Sequence, residues 1–219
     1  MADEVRSVPL TFQRIPEDEM GRRAKHFAEH ARLRRSIRKF SPEQVPTQVI
    51  EHCIEVAAQA PSGANKQPWT FVLVTKPEIK RSIREACERE EAAFYAGRAS
   101  RRWLEDLKPL GTSPDKPFLD EAPALIVVFA QRHGDERRDR HYYVTESVGI
   151  AVGMLVAALH HAGLATVTYT PAPMKFLSKI LGRPDNESGF IVLPVGYPAP
   201  DCEVPDIERK PLDQVLLKV

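Results

Sequence analysis

The stretch from Ala124 to Ala130, with the sequence ALIVVFA, constrains the fold of this chain more than any other. Seven consecutive apolar residues, with no polar residue at alternate positions, are typical of a β-strand that is buried on both faces. Such a strand needs other secondary-structure elements on each side to cover it. The stretch therefore predicts a layered domain that contains a sheet.

Periodic apolar residues predict helices and strands along the rest of the chain. The predicted helices cover residues 16–33, 47–58, 78–95, 143–161 and 174–181, and the predicted strands cover residues 69–75, 166–170 and 190–195. The helix over 143–161 is apolar on nearly all sides, which places it in the core or at a subunit interface. In the strand over 166–170, three threonine hydroxyls would lie on one face. The alternation of helices and strands favours an α+β or α/β domain.

The charge and the cysteine content exclude several functional classes. The chain has 219 residues with 31 basic and 30 acidic side chains, so it lacks the strong positive charge typical of nucleic-acid-binding proteins. The N-terminus has no apolar core like that of a signal peptide, and no apolar stretch is long enough to span a membrane. The cysteines are widely separated, which gives no spacing for a metal or redox site. We therefore expect a cytoplasmic globular protein that binds neither nucleic acid nor membrane.

A cluster of charged residues precedes the second predicted helix. Its members are Arg34, Arg35, Ser36, Ile37 and Arg38. Arginine presents a planar set of donors that matches phosphate oxygens, so the cluster could hold a phosphate group. A run of charge is also typical of a solvated helix end, and the residues alone leave both interpretations open. Because the chain has no glycine-rich phosphate loop, a bound phosphate would have to be held by side chains such as these.

The segment over residues 78–120 is rich in charge and poor in large aliphatic residues, which makes it a candidate lid. One apolar face of its predicted helix includes Cys87 and continues at four-residue spacing to Glu91 and Tyr95. A four-residue repeat rotates away from the core face, so Glu91 could equally be solvated. The chain has no metal-ligand or nucleophile motif, and any chemistry would therefore depend on a bound cofactor.

Four motifs together resemble those of the FMN-dependent nitroreductase superfamily, and within it those of the iodotyrosine deiodinases. They are the sequences RRSIR at 34–38, PSGANKQPW at 61–69, PVGYP at 194–198 and RKPL at 209–212. The likeness runs from about residue 9 to the C-terminus. Such an ordered series of motifs is specific for the superfamily.

The resemblance implies an α+β fold with three layers, in which a central, mostly antiparallel sheet is flanked by helices. Residues 1–219 would form one FMN-binding domain, with an inserted lid at about 88–117 and an extended C-terminal arm at about 199–219. Two copies would exchange arms in a homodimer. Each of its two FMN sites would then be lined by both chains.

The resemblance also implies which residues hold FMN. Those for the phosphate and ribityl chain are Arg34, Arg35, Ser36, Ile37, Arg38 and Arg209. Pro61 and Ser62 would line the flavin from the partner chain. Thr168, Tyr169 and Thr170 would run beside the isoalloxazine ring, with the Thr170 hydroxyl near flavin N5, where it favours one-electron steps.

The same resemblance implies reductive dehalogenation of 3-iodo-, bromo- and chlorotyrosine to tyrosine and halide. Glu91, Tyr95 and Lys116 in the lid would bind the amino-acid zwitterion, because an acid and a phenol can hold an ammonium and a lysine can pair with a carboxylate. The backbone amide of Ala64 would bind the substrate phenolate above the flavin. Because Tyr95 and Lys116 match the family together with Glu91, the resemblance favours a substrate-binding role for Glu91 over a position in solvent.

Two alternatives remain at this stage. Asn65 and Gln67 are more like the residues of general nitroreductases, which favours an FMN nitroreductase or quinone reductase that uses NAD(P)H. The chain could also be a non-catalytic binder of halotyrosine or flavin. A nicotinamide-binding motif is not visible, so electrons would come from NAD(P)H or from a separate reductase. Animal deiodinases have an N-terminal membrane anchor, and we expect this chain to be soluble.

Overall fold

A computed structural model describes residues 6–219, and the contacts divide the chain into two units. The first unit, residues 1–34, contains helix α1 (Glu17–Arg32), which has no buried residue. The second unit, residues 35–219, contains the sheet and the other helices. The first five residues of the predicted domain lie outside the described part of the chain.

The elements of the second unit follow the predicted order closely. The helices are α2 (Thr47–Ala58), α3 (Pro77–Ala93), α4 (Arg101–Leu107), α5 (Phe118–Glu121), α6 (Val144–His161) and α7 (Lys175–Ile180). The strands are β1 (Trp69–Val74), β2 (Ala124–Gln131), β3 (Ala165–Thr166) and β4 (Glu187–Gly196). Short turns of 3-10 helix lie at Gly63–Asn65, Lys108–Leu110 and Leu212–Gln214, and a π-helical turn lies at Phe94–Arg98.

The strands form one sheet in the order β1-β2-β4-β3, and each neighbouring pair is antiparallel. The register places Trp69 opposite Ala130 in the first pair and Ala124 opposite Val195 in the second. The predicted, mostly antiparallel sheet is confirmed.

Strand β2 is covered on both faces, as its continuous apolar sequence predicts. Ile126 and Val128 belong to the core that β2 forms with α2 and α6. Leu125, Val127 and Phe129 belong to a second core with α3, α5 and α7 on the opposite face. All five side chains are fully buried. The two cores divide the second unit into three layers and confirm the α+β fold class.

Helix α6 is long and apolar enough to cross a membrane, by length and composition. This corrects the expectation that no apolar stretch reaches that length. In the structure the helix packs against α2, β2 and β3, where Val148, Ala151 and Leu155 are fully buried. Its apolar composition therefore reflects packing in the core of the domain. The sequence predicted either the core or a subunit interface for this helix.

The strand predicted over 166–170 is shorter than expected. Regular pairing with β4 ends at Thr166, and the ladder resumes only as a single bridge between Tyr169 and Val192. One residue beyond the partner of Thr166, β4 carries Pro194, which has no N–H to donate to a neighbouring strand. Thr166 is buried whereas Thr168 and Thr170 are exposed, so the expectation of three hydroxyls on one face is wrong.

The two-sided cover of the sheet can be tested on helix α2. Ile50 is 1% exposed in the core, and Val56 on the same helix is 44% exposed. We expect Ile50→Ala to lower the free energy of unfolding by about 2–5 kcal/mol because it leaves a cavity. Val56→Ala should change it by less than about 1 kcal/mol. Denaturant unfolding of both variants measures the difference, and equal losses would contradict the layer assignment.

Candidate active site

A cavity of about 430 Å³ lies between the predicted lid and the chain that follows β3. Its volume is in the range of small-molecule sites, which is about 300–1,000 Å³. Phe94, Trp103 and Leu107 contribute apolar surface from the lid side. Residues 167–170 form the opposite wall. The cavity is thus lined by both apolar and polar side chains.

The Glu91 carboxylate is held from two directions inside this cavity. One oxygen, Oε2, lies 3.1 Å from Lys116 Nζ, and both side chains are largely buried, with 16% and 7% exposed. The other oxygen, Oε1, accepts a hydrogen bond of 3.0 Å from the Tyr169 hydroxyl. Lys116 Nζ also lies 5.8 Å from the ring centres of both Tyr95 and Tyr169. The structure therefore places Glu91 in the cavity wall rather than in solvent.

The C-terminal end of the lid is attached to helix α3 by a second set of polar contacts. The Lys116 backbone N–H donates to Glu88 Oε1 over 2.8 Å, and Arg84 lies 2.8 Å from the same oxygen. Arg84 also pairs with Asp120 at 3.1 Å. Burial by itself raises the pKa of Glu88, but the hydrogen bonds from Lys116 and Arg84 outweigh it and lower the pKa. This carboxylate is therefore ionised where it holds the lid.

Tyr95 lies in the π-helical turn rather than on the predicted helix, because α3 ends at Ala93. The Tyr95 hydroxyl donates to Thr112 Oγ1 over 2.8 Å, which connects the two ends of the lid. Arg98 closes the same turn through Glu90 at 2.8 Å and through the carbonyl oxygen of Ala172 at 2.6 Å. The lid is therefore better anchored than its composition predicted, and its anchors are polar.

The arginine cluster is divided by the structure. Arg38 lines the cavity and is half-buried, and this burial lowers the pKa of its guanidinium although Tyr95 opposes the effect. Ile37 and Ser36 run beside β3, with the Ile37 N–H donating to the Thr166 carbonyl over 3.1 Å. Arg35 donates to the carbonyl oxygen of Pro205. Arg34 belongs to the first unit, so its predicted role stays a prediction.

The loop between α2 and β1 has an unusual backbone. Ala64, Asn65 and Gln67 have φ angles of 50°, 52° and 48°, in the left-handed region that residues with a side chain rarely adopt. Gly63 lies so close to Tyr142 that an added Cβ would be 2.7 Å from its carbonyl oxygen. Strained backbone of this kind concentrates at functional sites. No local sequence pattern predicts this strain.

Seven of the site residues predicted in the second unit do not line the cavity. They are Pro61, Ser62, Ala64, Arg35, Ser36, Ile37 and Arg209. The loop that carries the first three follows α2 and contacts the start of α6 through a Gly63 N–H bond of 3.3 Å to Ser147. It is therefore in the layer of α2 and α6, whereas the cavity is in the layer of α3. Arg209 lies in the C-terminal arm, where residues 206–219 are exposed.

Sequence reasoning missed the contact between Tyr169 and Glu91. It assigned Tyr169 to the cofactor only, yet this residue is 9% exposed and its hydroxyl donates to Glu91 in the predicted lid. The four-residue series through Cys87 and Glu91 indicated part of this contact, because both side chains face Tyr169. Among residues 6–219, no group of three or more His, Cys, Asp and Glu side chains is arranged to hold a metal ion.

Comparisons with known proteins give consistent similarities. The model described as the nitroreductase family matches residues 31–197. An iodotyrosine deiodinase from Haliscomenobacter hydrossis is 51% identical over 206 residues, which cover 93% of each chain. Iodotyrosine deiodinase 1 from Mus musculus is 47% identical over 221 residues, covering 99% of this chain and 78% of the relative. A crystal structure of oxidized iodotyrosine deiodinase bound to FMN and 3-iodo-L-tyrosine has a TM-score of 0.74 at 35% identity, covering 84% of this chain and 95% of that chain.

The strained loop can be tested at Gly63. We expect Gly63→Ala to lower the free energy of unfolding by about 1–3 kcal/mol, because the new Cβ overlaps the fixed carbonyl of Tyr142. Gly21→Ala is the matched control, since nothing lies within 4 Å of its added Cβ. In a helix interior that change should be neutral or stabilise by up to about 1 kcal/mol. Thermal unfolding measures both variants, and a silent Gly63→Ala would contradict the close approach.

Proposed function

This chain belongs to the nitroreductase family, and we propose that it catalyses the FMN-dependent reductive dehalogenation of halogenated L-tyrosines. The observation that carries the proposal is the buried pair of Glu91 and Lys116 in the cavity, with Tyr95 beside it. An anion and a cation held side by side match the ammonium and carboxylate of an amino acid. A general reductase of nitroaromatic compounds has no use for such a pair.

The cavity has the chemistry that FMN requires. Arg38 offers a permanently charged guanidinium for a phosphate, and its burial strengthens that attraction. Thr168 and Thr170 offer hydroxyls at the exposed edge, and Phe94 and Trp103 offer flat apolar surface. We infer that these residues hold FMN. Reduced FMN bound there supplies two electrons that, with one proton, replace the carbon–halogen bond by a carbon–hydrogen bond as halide leaves.

The lid residues bind and orient the substrate. The substrate ammonium takes the place of Lys116 beside Glu91, and Lys116 turns to the substrate carboxylate, so the internal ion pair is exchanged for two external ones. Tyr95 contributes its hydroxyl at the same end. The closed lid excludes water, which strengthens each of these contacts. The Thr170 hydroxyl is proposed to face the flavin edge at which electrons leave.

The remaining contact to the substrate comes from the loop of residues 61–67. In its strained conformation the Ala64 amide is proposed to donate to the substrate phenolate, and Pro61 and Ser62 to line the flavin. Within one chain this loop and the cavity are in different layers. We therefore propose a homodimer in which the loop of one chain completes the cavity of the other.

Exposed apolar side chains support this assembly. The C-terminal arm carries Leu212, Val215 and Leu217 at 69%, 64% and 88% exposure. On α6, Ile150 is 47% exposed beside small residues at 149 and 153. Such exposed apolar side chains are unfavourable in water. Their presence in the arm and on α6 favours an interface in which a second copy of the chain buries them. Arg209 lies in the arm, which would bring it to the phosphate of a flavin.

The electron source and the cellular location are part of the proposal. We propose that the electrons come from NAD(P)H or from a separate reductase, and that the chain is soluble and cytoplasmic. The packing of α6 inside the domain supports the soluble assignment.

Halide release tests the proposed reaction. Purified enzyme with bound FMN, reduced without oxygen, should convert 3-iodo-, 3-bromo- and 3-chlorotyrosine to tyrosine with one halide ion per substrate. Chromatography measures tyrosine, and ion chromatography measures the halide. Reduction of nitroaromatic compounds without any halide release would overturn the proposal in favour of a general reductase.

A variant pair on α3 gives the matched control for this reaction. Glu91→Gln should weaken halotyrosine binding by about 1–3 kcal/mol, because a buried charged contact loses its charge. Glu85→Gln, at an exposed position on the same helix, should leave binding unchanged. Neither substitution should alter nitroaromatic reduction.

Shared sites between two chains can be tested by complementation. Glu91→Ala removes a group of the cavity, and Ala64→Pro removes both the loop N–H and the positive φ at that position, so each homodimer should be inactive. A heterodimer of the two, selected with different affinity tags, has one intact site if cavity and loop come from different chains. It should regain about half of the normal activity. If each site is built from one chain alone, the heterodimer stays inactive, and the homodimer model is wrong.

A further inference from the structure

Tyr169 is fixed to the sheet more firmly than its neighbours. Its N–H donates to the Val192 carbonyl over 2.9 Å, and its carbonyl accepts from the Val192 N–H over 2.8 Å. The residue is 9% exposed, and its ring meets Phe118 edge-to-face, with ring centres 5.7 Å apart. Thr168 and Thr170 on either side are exposed. The position of the phenol oxygen is therefore set by the sheet and by the core.

The phenol oxygen links this fixed position to the lid. Its hydroxyl donates to Glu91 Oε1 over 3.0 Å, while Lys116 Nζ approaches Oε2 at 3.1 Å. Burial, reinforced by the nearby Cys87 and Glu91, raises the pKa of Tyr169. The hydroxyl thus keeps its proton and acts as a donor to the carboxylate. One oxygen of Glu91 is held by the sheet, and the other is held by a residue of the lid itself.

We propose that Tyr169 is a positioning residue that fixes the Glu91 carboxylate for the substrate ammonium, and that it thereby sets the preference for amino-acid substrates over simple halophenols. This inference rests on the proposed function and assigns the side chain of Tyr169 to the lid. When an ammonium displaces Lys116 from Oε2, the bond from Tyr169 to Oε1 remains. The carboxylate then needs no rearrangement, and the cost of ordering it has already been met in the free enzyme.

Two ligands and one substitution test the inference. Tyr169→Phe removes the hydroxyl and keeps the ring that packs on Phe118. It should weaken 3-iodo-L-tyrosine binding about tenfold, because a hydrogen bond to a charged group is lost. Binding of 2-iodophenol, which has no ammonium or carboxylate, should change less than about twofold. Quenching of flavin fluorescence in the FMN-loaded protein measures both dissociation constants.

The control variant is Tyr197→Phe, which removes a hydroxyl from a partly buried tyrosine packed on the opposite core. It should leave both dissociation constants unchanged. Equal losses for the two ligands in Tyr169→Phe would indicate a general effect on the flavin pocket and would overturn the inference. An unchanged affinity for 3-iodo-L-tyrosine would overturn it as well.

A double-mutant cycle separates positioning from a structural role. If Tyr169 acts through Glu91, then adding Tyr169→Phe to Glu91→Gln should weaken 3-iodo-L-tyrosine binding by less than about threefold further. Additive losses would show that Tyr169 acts independently, against the inference. Wild-type protein that binds no halotyrosine would defeat the proposed function instead, so the two failures are distinct.

A second measurement covers the case in which Tyr169→Phe no longer retains its flavin. Trypsin can cleave the lid at Arg101 and Arg102, which are exposed residues of helix α4. Loss of the bond to Glu91 should accelerate cleavage in the lid severalfold relative to Tyr197→Phe. Mass spectrometry identifies the sites. Equal cleavage rates in the two variants would contradict a connection between Tyr169 and the lid.

Discussion

The buried carboxylate of Glu91 is the group on which the candidate site depends. An ionised acid at 16% exposure is costly to remove from water, and it persists only where donors surround it. Here those donors come from Lys116 at the C-terminal end of the lid and from Tyr169 beside the sheet. The lid is poor in apolar residues, so polar contacts around this acid and around Glu88 supply the order that a hydrophobic core supplies elsewhere.

Such an arrangement suits the proposed role of this segment as a lid that opens for substrate. In the proposed reaction the substrate ammonium replaces Lys116 beside Glu91, so the buried carboxylate keeps a charged partner. The two cores on either side of β2 are by contrast dry and closely packed. The molecule therefore separates a closely packed part, which carries Tyr169, from the predicted lid, which carries Glu91 and Lys116 and is held by polar contacts.

The fold was largely predictable from the sequence, because its strongest signals are apolar patterns. The uninterrupted apolar sequence of β2 predicted a strand covered on both faces, and the structure has a core on each face. Failures occurred where backbone pairing, rather than burial, decides the structure. Pro194 interrupts the ladder beside β3, and a π-helical turn moves Tyr95 off the end of α3. The positive φ angles after Gly63 depend on contacts with Tyr142, which is distant in sequence, and no local pattern reports them.

The contact of Arg35 with Pro205 joins residues 170 positions apart, and Lys39 pairs with Asp201 across a similar separation. Backbone bonds from Ser41 to Tyr197 and from Ala199 to Lys39 lie between them. The basic segment therefore lacks these partners until the residues after β4 have left the ribosome, and its bond to Thr166 also has to wait for β3. During synthesis the residues predicted to hold the phosphate are therefore made early and take their shape late, after the sheet that supports them is complete.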